Sequence, residues 1–328
     1  MEQWYASVNY GLEKMIGDIV KTRGAGNVKA LDGAVTFSRA GELDIKCVNN
    51  LFLIISEFRS GSIDEAAKRI ARSDFKYPQL NGKTFRVVVM DCGKLRAVPG
   101  SVMAALEQNI SRRTRLTPRR AAPDTEIWIN RRNDGLVFFM ARVKKHPPFD
   151  KALRRGELRR DVAEIMLYMA DNAAKTAEPR VIADIFGGWG AIAAAATESG
   201  RYKKIFTGDI NDECVKYQEA RLRGERSCIV QKWDARRLPL KNMSVDAVVT
   251  DPPWGEYEKT DVSRLYDEFI AETERILRPG GALVFLISIK SENEALRALD
   301  KYGFSHSSVP LRINGKDACL VCAEGVSK

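Results

Sequence analysis

The sequence predicts an α/β protein: a doubly wound, mainly parallel sheet in the second half, preceded by two smaller α+β units. Three observations carry this. From Val181 onward, short apolar runs alternate with stretches of helical length, the pattern of a sheet covered by helices on both faces. Before that point, strands and helices come in two mixed groups separated by turn-forming residues. The chain has 328 residues, of which 45% are hydrophobic, so it is long enough for two or three domains and apolar enough to fold.

Taken in order, residues 1–60 give a strand at Tyr5–Val8, a helix at Gly11–Arg23, a turn into a strand across Ala30–Phe37, and further short strands. This unit is small to be stable alone. Residues 61–147 give a helix at Ile63–Arg72, a strand at Thr84–Met90, a helix at Ser101–Ser111 with Ser101 as N-cap, and a strand pair at Glu126–Asn130 and Gly135–Arg142. Asp134-Gly135 is the turn signal between the paired strands. His146-Pro147-Pro148-Phe149 marks a boundary, because two prolines stiffen the chain and exclude helix. Residues 148–175 then read as a basic linker and a helix at Asp161–Ala173. The domain at 176–328 has strands at Val181–Phe186, Lys204–Asp209, Cys228–Gln231, Val245–Thr250, Gly281–Ile287, Phe304–Val309 and Asp317–Ala323. Its helices fall at Ala191–Glu198, Asn211–Arg223, Ser263–Leu277 and Glu292–Lys301.

Charge is uneven. The net charge is +10, and residues 51–150 hold nineteen basic side chains against ten acidic, whereas residues 181–328 are near neutral at twenty-one against twenty-two. A basic middle beside a neutral α/β half points to a polyanion-docking surface. No apolar run reaches the roughly 18 residues needed to span a bilayer, and the first residues do not form a signal peptide. Six scattered cysteines make no disulfide scaffold. Cys319 and Cys322 form a C-x-x-C, but three positions apart on a strand they face opposite sides, and no second pair completes a zinc site. The expectation is a cytoplasmic protein without a metal or a membrane partner.

Ligands of doubly wound sheets bind at the carboxyl ends of the strands. The first such end carries Asp184-Ile185-Phe186-Gly187-Gly188-Trp189-Gly190. Its glycines allow close backbone approach, but the spacing is not G-x-G-x-x-G and no Walker lysine follows. An adenosine joined to methionine fits this loop better than a pyrophosphate. Asp209, ending the second strand, is a candidate for a ribose diol, with a helix N-cap as the other reading and Asn211 competing for that job. Asp234, after the third strand, is placed to accept an adenine amino group, with Trp233 or Ile210 along the ring and Ala235 beside it.

The fourth end carries Asp251-Pro252-Pro253-Trp254, followed by Gly255. An exocyclic amine on a base is a poor nucleophile, since its lone pair is delocalised into the ring. Acceptors held against its N–H groups favour a lone pair aimed at an incoming methyl carbon. Asp251 offers a carboxylate and Pro252 a carbonyl on a backbone stiffened by consecutive prolines. Trp254 offers a π-face for a flipped base, Pro253 lines the approach, and Gly255 leaves room. Only two histidines exist, His146 and His306, and neither lies in a strand-end loop.

These residues resemble the S-adenosylmethionine-dependent amino-methyltransferases with a D/N-P-P-Y/F/W motif, a Rossmann-like class I methyltransferase fold. The resemblance covers about residues 155–328. It implies S-adenosyl-L-methionine as cofactor, held by Asp184, Phe186, Gly187, Gly188, Gly190, Asp209, Ile210, Asp234 and Ala235. Phe85 to Val89, Ala104 to Glu107, Trp128 to Asn130 and Gly135 to Phe139 resemble a THUMP domain behind a ferredoxin-like domain. That resemblance implies binding to tRNA or another structured RNA and N2-methylation of guanosine in tRNA, near position 6 or at position 10, by a monomer. Two departures stand out: Ile185 replaces a proline, and Trp189 replaces a small residue, which would narrow the methionine pocket or swing across it.

Two arginine clusters are the phosphate candidates: Arg112, Arg113, Arg115, Arg119 and Arg120, then Arg154, Arg155, Arg159 and Arg160 in the linker. Rival readings are an adenine-N6 methyltransferase on RNA or DNA, since the tetrapeptide does not encode base identity, and a noncatalytic RNA-binding protein retaining the fold. A nicotinamide dehydrogenase lacks both the glycine spacing and a proton-transfer residue.

Overall fold

The computed structural model describes residues 1–78, 82–145, 153–178, 180–255, 261–313 and 315–325, with the side chains of Lys144 and Lys145 left aside. The expected boundary at His146-Pro147-Pro148-Phe149 lies outside the described residues. The chain forms two compact units, Met1–Val8 with Glu13–His146, and Asn9–Leu12 with Pro147–Lys328.

The first unit contains β1 (Glu2–Ser7), α1 (Glu13–Thr22), β2 (Gly26–Leu31), β3 (Ala34–Arg39), β4 (Asn50–Arg59), α2 (Ile63–Arg72), β5 (Thr84–Asp91), β6 (Lys94–Leu95), α3 (Gly100–Thr114), β7 (Thr117–Pro118), β8 (Thr125–Arg131) and β9 (Leu136–Lys145). The strands join in one sheet, in the order β2-β3-β1-β4-β9-β8-β5-β6, with β7 alongside β5. β5 and β8 run parallel, while β4 and β9 pair antiparallel through contacts such as Leu53 with Ala141. The two mixed groups read from the sequence therefore share one sheet, joined by β4.

Helices α2 and α3 present apolar residues at helical spacing, Ile63, Ala66, Ala67 and Ile70, then Val102, Leu106 and Ile110. These pack on Phe85, Ile127, Ile129 and Phe139 of the sheet. Ser62 caps α2, its hydroxyl accepting the Glu65 N–H at 3.2 Å. The expected cap at Ser101 is corrected: α3 begins one residue earlier, and Pro99 holds the cap position without a side-chain bond. The Pro99 carbonyl accepts the Val102 and Met103 N–H groups at 2.9 and 3.0 Å.

The second unit contains α4 (Arg160–Ala173), β10 (Val181–Asp184), α5 (Ala191–Ser199), β11 (Lys204–Asp209), α6 (Asp212–Arg221), β12 (Cys228–Lys232), β13 (Val245–Thr250), α7 (Val262–Ile276), β14 (Leu277–Ser288), α8 (Glu292–Lys301), β15 (Ser305–Ile313) and β16 (Lys316–Glu324). The sheet order is β12-β11-β10-β13-β14-β16-β15. The first five strands are mutually parallel, and β16 and β15 close the sheet antiparallel. β10 and β13 are neighbours although four elements, α5, β11, α6 and β12, separate them in sequence. Their adjacency is the switch point where the strand order reverses, and it sets the loop after β10 beside the loop after β13.

The strands at the centre are mostly apolar because helices cover both faces, with Asp184, Asp246 and Thr250 the buried polar exceptions in β10 and β13. Val245, Val248, Leu283, Phe285 and Ile287 pack with Tyr266, Phe269 and Ile270 of α7. Pro310 sits in β15, an edge strand, where a missing N–H is tolerated. Among the described residues, no helix is long and apolar enough to cross a membrane.

Candidate active site

β10 ends at Asp184, and the glycine loop turns directly into α5, with Gly190 in the left-handed region at φ 76° as its cap residue. The loop is tied down by backbone and side chain together. The Gly187 N–H bonds the Gly208 carbonyl at 2.8 Å and the Gly190 N–H bonds the Gly187 carbonyl at 2.7 Å. Gln218 of α6, fully buried, donates to the Gly188 carbonyl at 2.9 Å and accepts from the Thr207 hydroxyl at 2.8 Å. A Cβ on Gly187 would lie 2.6 Å from Thr207 Oγ1 and 2.7 Å from Gln218 Nε2, so that position excludes any side chain. On Gly188 it would meet nothing within 4 Å, which leaves that face of the loop open for a ligand.

Asp184 is 1% exposed. Its Oδ1 accepts the Thr250 hydroxyl at 3.0 Å, and the same hydroxyl oxygen accepts the Phe186 N–H at 2.9 Å. Burial drives the Asp184 carboxyl up to about 8; Asp209 and Asp251 nearby push the same way, and the Thr250 bond opposes them. Thr250, the last residue of β13 and immediately before Asp251, thus ties that strand end to Asp184 and the glycine loop.

Asp209 closes the far side of the loop. Its Oδ2 accepts the Gly188 N–H and its Oδ1 the Asn211 N–H, both at 2.9 Å. Asn211 caps α6 through the Glu213 N–H, so Asp209 is not the cap. Ile210 is 61% exposed at the rim, whereas Trp233 is buried with its indole N–H on the Ile185 carbonyl at 3.0 Å. Of the two residues considered for the adenine face, Ile210 alone is accessible. Asp234 is held bidentately by Arg236 at 2.9 and 2.7 Å, which draws its carboxyl below the usual range; Ala235 beside it is buried. An adenine amine would share Asp234 with Arg236.

The loop after β13 is fixed by two bonds. The Trp254 indole N–H donates to Asp251 Oδ1 at 3.0 Å, and the Tyr266 hydroxyl donates to the Pro253 carbonyl at 3.3 Å. Pro252 is buried, Trp254 half-buried, and Pro253 and Gly255 exposed. Gly255 has φ 74°, and a Cβ there would lie 2.5 Å from Val262 Cγ2. Asp251 keeps partial solvent access yet is enclosed by protein, and this burial lifts its carboxyl to about 7 against the opposing Trp254 bond.

The structure therefore brings Asp184, Gly187, Gly188, Asp209 and Asp251 to one end of the sheet. Thr250, Gln218, Thr207 and Tyr266 were not singled out from the sequence. The available signals were slight: a hydroxyl ending an apolar strand just before Asp251, and a glutamine on the inward face of a helix.

Arg112 and Arg113 occupy the last turn of α3, and Arg115 is its C-cap at φ 62°. All three are exposed, as are Arg119 and Arg120 after β7. Arg113 also bonds Asn109 Oδ1 at 3.0 Å and pairs with Asp74. The linker cluster disperses. Arg159 is corrected as a phosphate candidate: it is 5% exposed and clasps Asp161 at 3.0 and 2.7 Å, with Asn9 on the same carboxylate at 3.0 Å. Arg160 pairs with Glu198 and Glu164 but stays exposed. Arg155 is exposed, and its carbonyl accepts the Trp189 indole N–H at 3.1 Å. Trp189 is thereby directed toward residues 154–155.

Residues 151–306 match the UPF0020 family, described as RMKL-like, methyltransferase domain. Over 141 residues the chain is 29% identical to the U6 snRNA (guanine-N(2))-methyltransferase THUMPD2 of Bos taurus. That alignment takes in 42% of this chain and 26% of the bovine protein, so the chain spans about a quarter of its relative. Among solved structures, TrmN from Thermus thermophilus superposes with a TM-score of 0.80 at 21% identity, covering 99% of this chain and 100% of that one. SMU.472, solved in complex with SAH, superposes at 0.71 with 13% identity, covering 100% and 98%. At these identities the likeness is one of fold, across both units. The glycine loop and the acids at successive strand ends fit S-adenosylmethionine in the residues that would hold it. The second unit carries the match to this methyltransferase domain, and S-adenosylmethionine is the cofactor that such a domain takes.

Proposed function

We propose that the protein is a tRNA guanine-N2 methyltransferase, acting at position 6 or position 10 as a cytoplasmic monomer. The single observation that carries the chemistry is the adjacency of β10 and β13, which sets the Asp251-Pro252-Pro253-Trp254 loop beside the glycine loop and ties them through Thr250. The bovine relative's guanine-N2 activity supports the choice of base, and the exposed arginines around α3 support an RNA substrate. In this reading residues 1–60 form a ferredoxin-like segment and 61–147 a THUMP segment within the shared sheet, and 148–175 lead into the core at 176–328.

S-adenosylmethionine supplies an electrophilic methyl carbon. Asp209 would take the ribose hydroxyls, Ile210 and Asp234 would face the adenine, and the open face at Gly188 would let the backbone approach, with Gly187 and Gly190 keeping the loop close against Gln218. Asp251, its rotation fixed by Trp254, accepts a hydrogen bond from the exocyclic amine together with the Pro252 carbonyl. With the cofactor bound, attack by the nitrogen held at Asp251 would take the methyl group and leave the carbon–sulfur electron pair on sulfur. The nitrogen becomes cationic and then sheds an N–H proton, which the Asp251 carboxylate receives. Trp254 supports the flipped base, Pro253 and Gly255 border it, and Arg112, Arg113, Arg115, Arg119, Arg120, Arg155 and Arg160 bind phosphates.

The test is to incubate purified protein with labelled S-adenosylmethionine and unmodified tRNA transcripts, then identify the labelled nucleoside by digestion and mass spectrometry. N2-methylguanosine is expected. N6-methyladenosine would overturn the base assignment, and no label in a sample that binds both cofactor and RNA would favour a binding role.

A further inference from the structure

Trp189 and Arg154 make a set of contacts that neither cofactor binding nor RNA docking explains. The Trp189 and Tyr217 rings meet edge-on, centroids 5.4 Å apart and planes at 89°. The Arg154 guanidinium fills the corner between them, 4.6 Å from the Trp189 ring and 4.4 Å from the Tyr217 ring, with Glu213 at 3.8 Å. The Trp189 indole N–H bonds the Arg155 carbonyl at 3.1 Å. Arg221 then bridges both partners, donating to the Trp189 carbonyl at 2.9 Å and to Glu157 at 2.7 Å. Residues 154–157 are themselves closed into a turn: the Glu157 N–H bonds the Arg154 carbonyl at 2.9 Å, and the Arg154 N–H bonds the Glu157 carboxylate at 3.1 Å.

We infer that residues 154–157 are a strap that positions the cofactor loop through Trp189, with Arg154 a positioning residue for donor binding instead of a phosphate contact. The inference rests on the methyltransferase reading for its consequence but not for its geometry. From inside, Gln218, Asp209 and Gly208 hold the loop's backbone; from outside, the strap holds the side chain and carbonyl of Trp189. A bulky residue at this position is thereby directed to the strap and kept off the loop's open face at Gly188. The Arg154 side chain stays 45% exposed, so it is the two ring contacts, and not burial, that commit its guanidinium to Trp189 and Tyr217.

The full chain without ligand is the first sample. Hydrogen exchange at the Gly187, Gly188 and Gly190 amides reads loop opening whether or not a cofactor binds. Arg154→Ala, which loses two cation–π contacts, and Trp189→Ala, which loses one together with the indole N–H bond, are each expected to speed that exchange about tenfold. The double variant is expected to fall short of the sum of the two single ones, because both remove the shared Arg154–Trp189 contact. Trp189→Phe keeps a ring for Arg154 but loses the N–H, and should fall between. Calorimetry with S-adenosylhomocysteine should show affinity falling in the same order, while the salt dependence of tRNA binding stays at the wild-type slope.

Unchanged loop exchange in Arg154→Ala overturns the strap. So does a normal S-adenosylhomocysteine affinity combined with a salt slope lowered by about one phosphate contact, which would return Arg154 to the RNA surface. Faster loop exchange in a protein that binds no S-adenosylhomocysteine would keep the strap and sink the methyltransferase reading instead.

Discussion

Replacing Thr250 with valine tests whether one hydroxyl joins the two loops of the site. The side chain is fully buried, donates to Asp184 at 3.0 Å and accepts from the Phe186 N–H at 2.9 Å. Valine keeps the shape and leaves both partners unsatisfied. At about 1–3 kcal/mol for each stranded buried group, and with the Phe186 N–H only partly buried, the loss should be about 2–4 kcal/mol. For a unit of this size each kcal/mol moves the midpoint by about 2–4 °C, so Tm should fall by roughly 4–16 °C.

The loss should depend on pH. Folding raises the Asp184 carboxyl from 3.8 to about 8, so the folded state holds a proton that the unfolded chain releases in between. Stability from this group is therefore complete in acid and fades as pH climbs through about 8. The Thr250 bond lowers that pKa, and its removal makes the buried carboxylate costlier still. Thermal unfolding of Thr250→Val and wild type at pH 5 and pH 9 should show the larger difference at pH 9. S-adenosylhomocysteine binding should weaken in parallel. A fall in Tm under 1 °C, or an equal fall at both pH values, would refute the reasoning.

Asp251→Asn should lower methyl transfer by about 100- to 10,000-fold while tRNA affinity is retained; a variant with near-normal turnover would remove the carboxylate from the chemistry. Since burial lifts Asp251 to about 7 and the carboxylate is the working form, wild-type transfer should rise with pH through about 7 and then level, and a flat profile from pH 6 to 9 would count against this role. Gly187→Ala forces a methyl to 2.6 Å from Thr207 Oγ1, so S-adenosylhomocysteine affinity should drop at least about tenfold at an overpacking cost of about 1–3 kcal/mol, readable by calorimetry. Replacing Arg112, Arg113 and Arg115 with alanine should weaken tRNA binding and lower its log–log salt slope by about 2, and an unchanged slope would take this patch off the RNA surface.

Local patterning was enough for the element order of the second unit, because a sheet buried on both faces needs apolar strands and its covering helices need apolar residues at helical spacing. Val245–Thr250 and Lys204–Asp209 coincide with strands of the structure for that reason. It also located the glycine loop after β10 and the double-proline loop after β13, since glycines and consecutive prolines act on the backbone locally. Tertiary structure alone decided what is joined at long range. β4 merges two sequence groups into one sheet through pairs more than eighty positions apart, such as Leu53 with Ala141, a separation local patterning does not record. Thr250 lies sixty-six residues from Asp184, yet the adjacency of β10 and β13 makes them partners. The arginines show the same limit from the other side. Charge along the chain groups Arg154 with Arg159 and Arg160, but where each guanidinium points is set by packing: one against Trp189, one buried on Asp161, one at the surface with Glu198. Sequence fixes which groups are available, and the partners that hold them are chosen only when distant segments fold together.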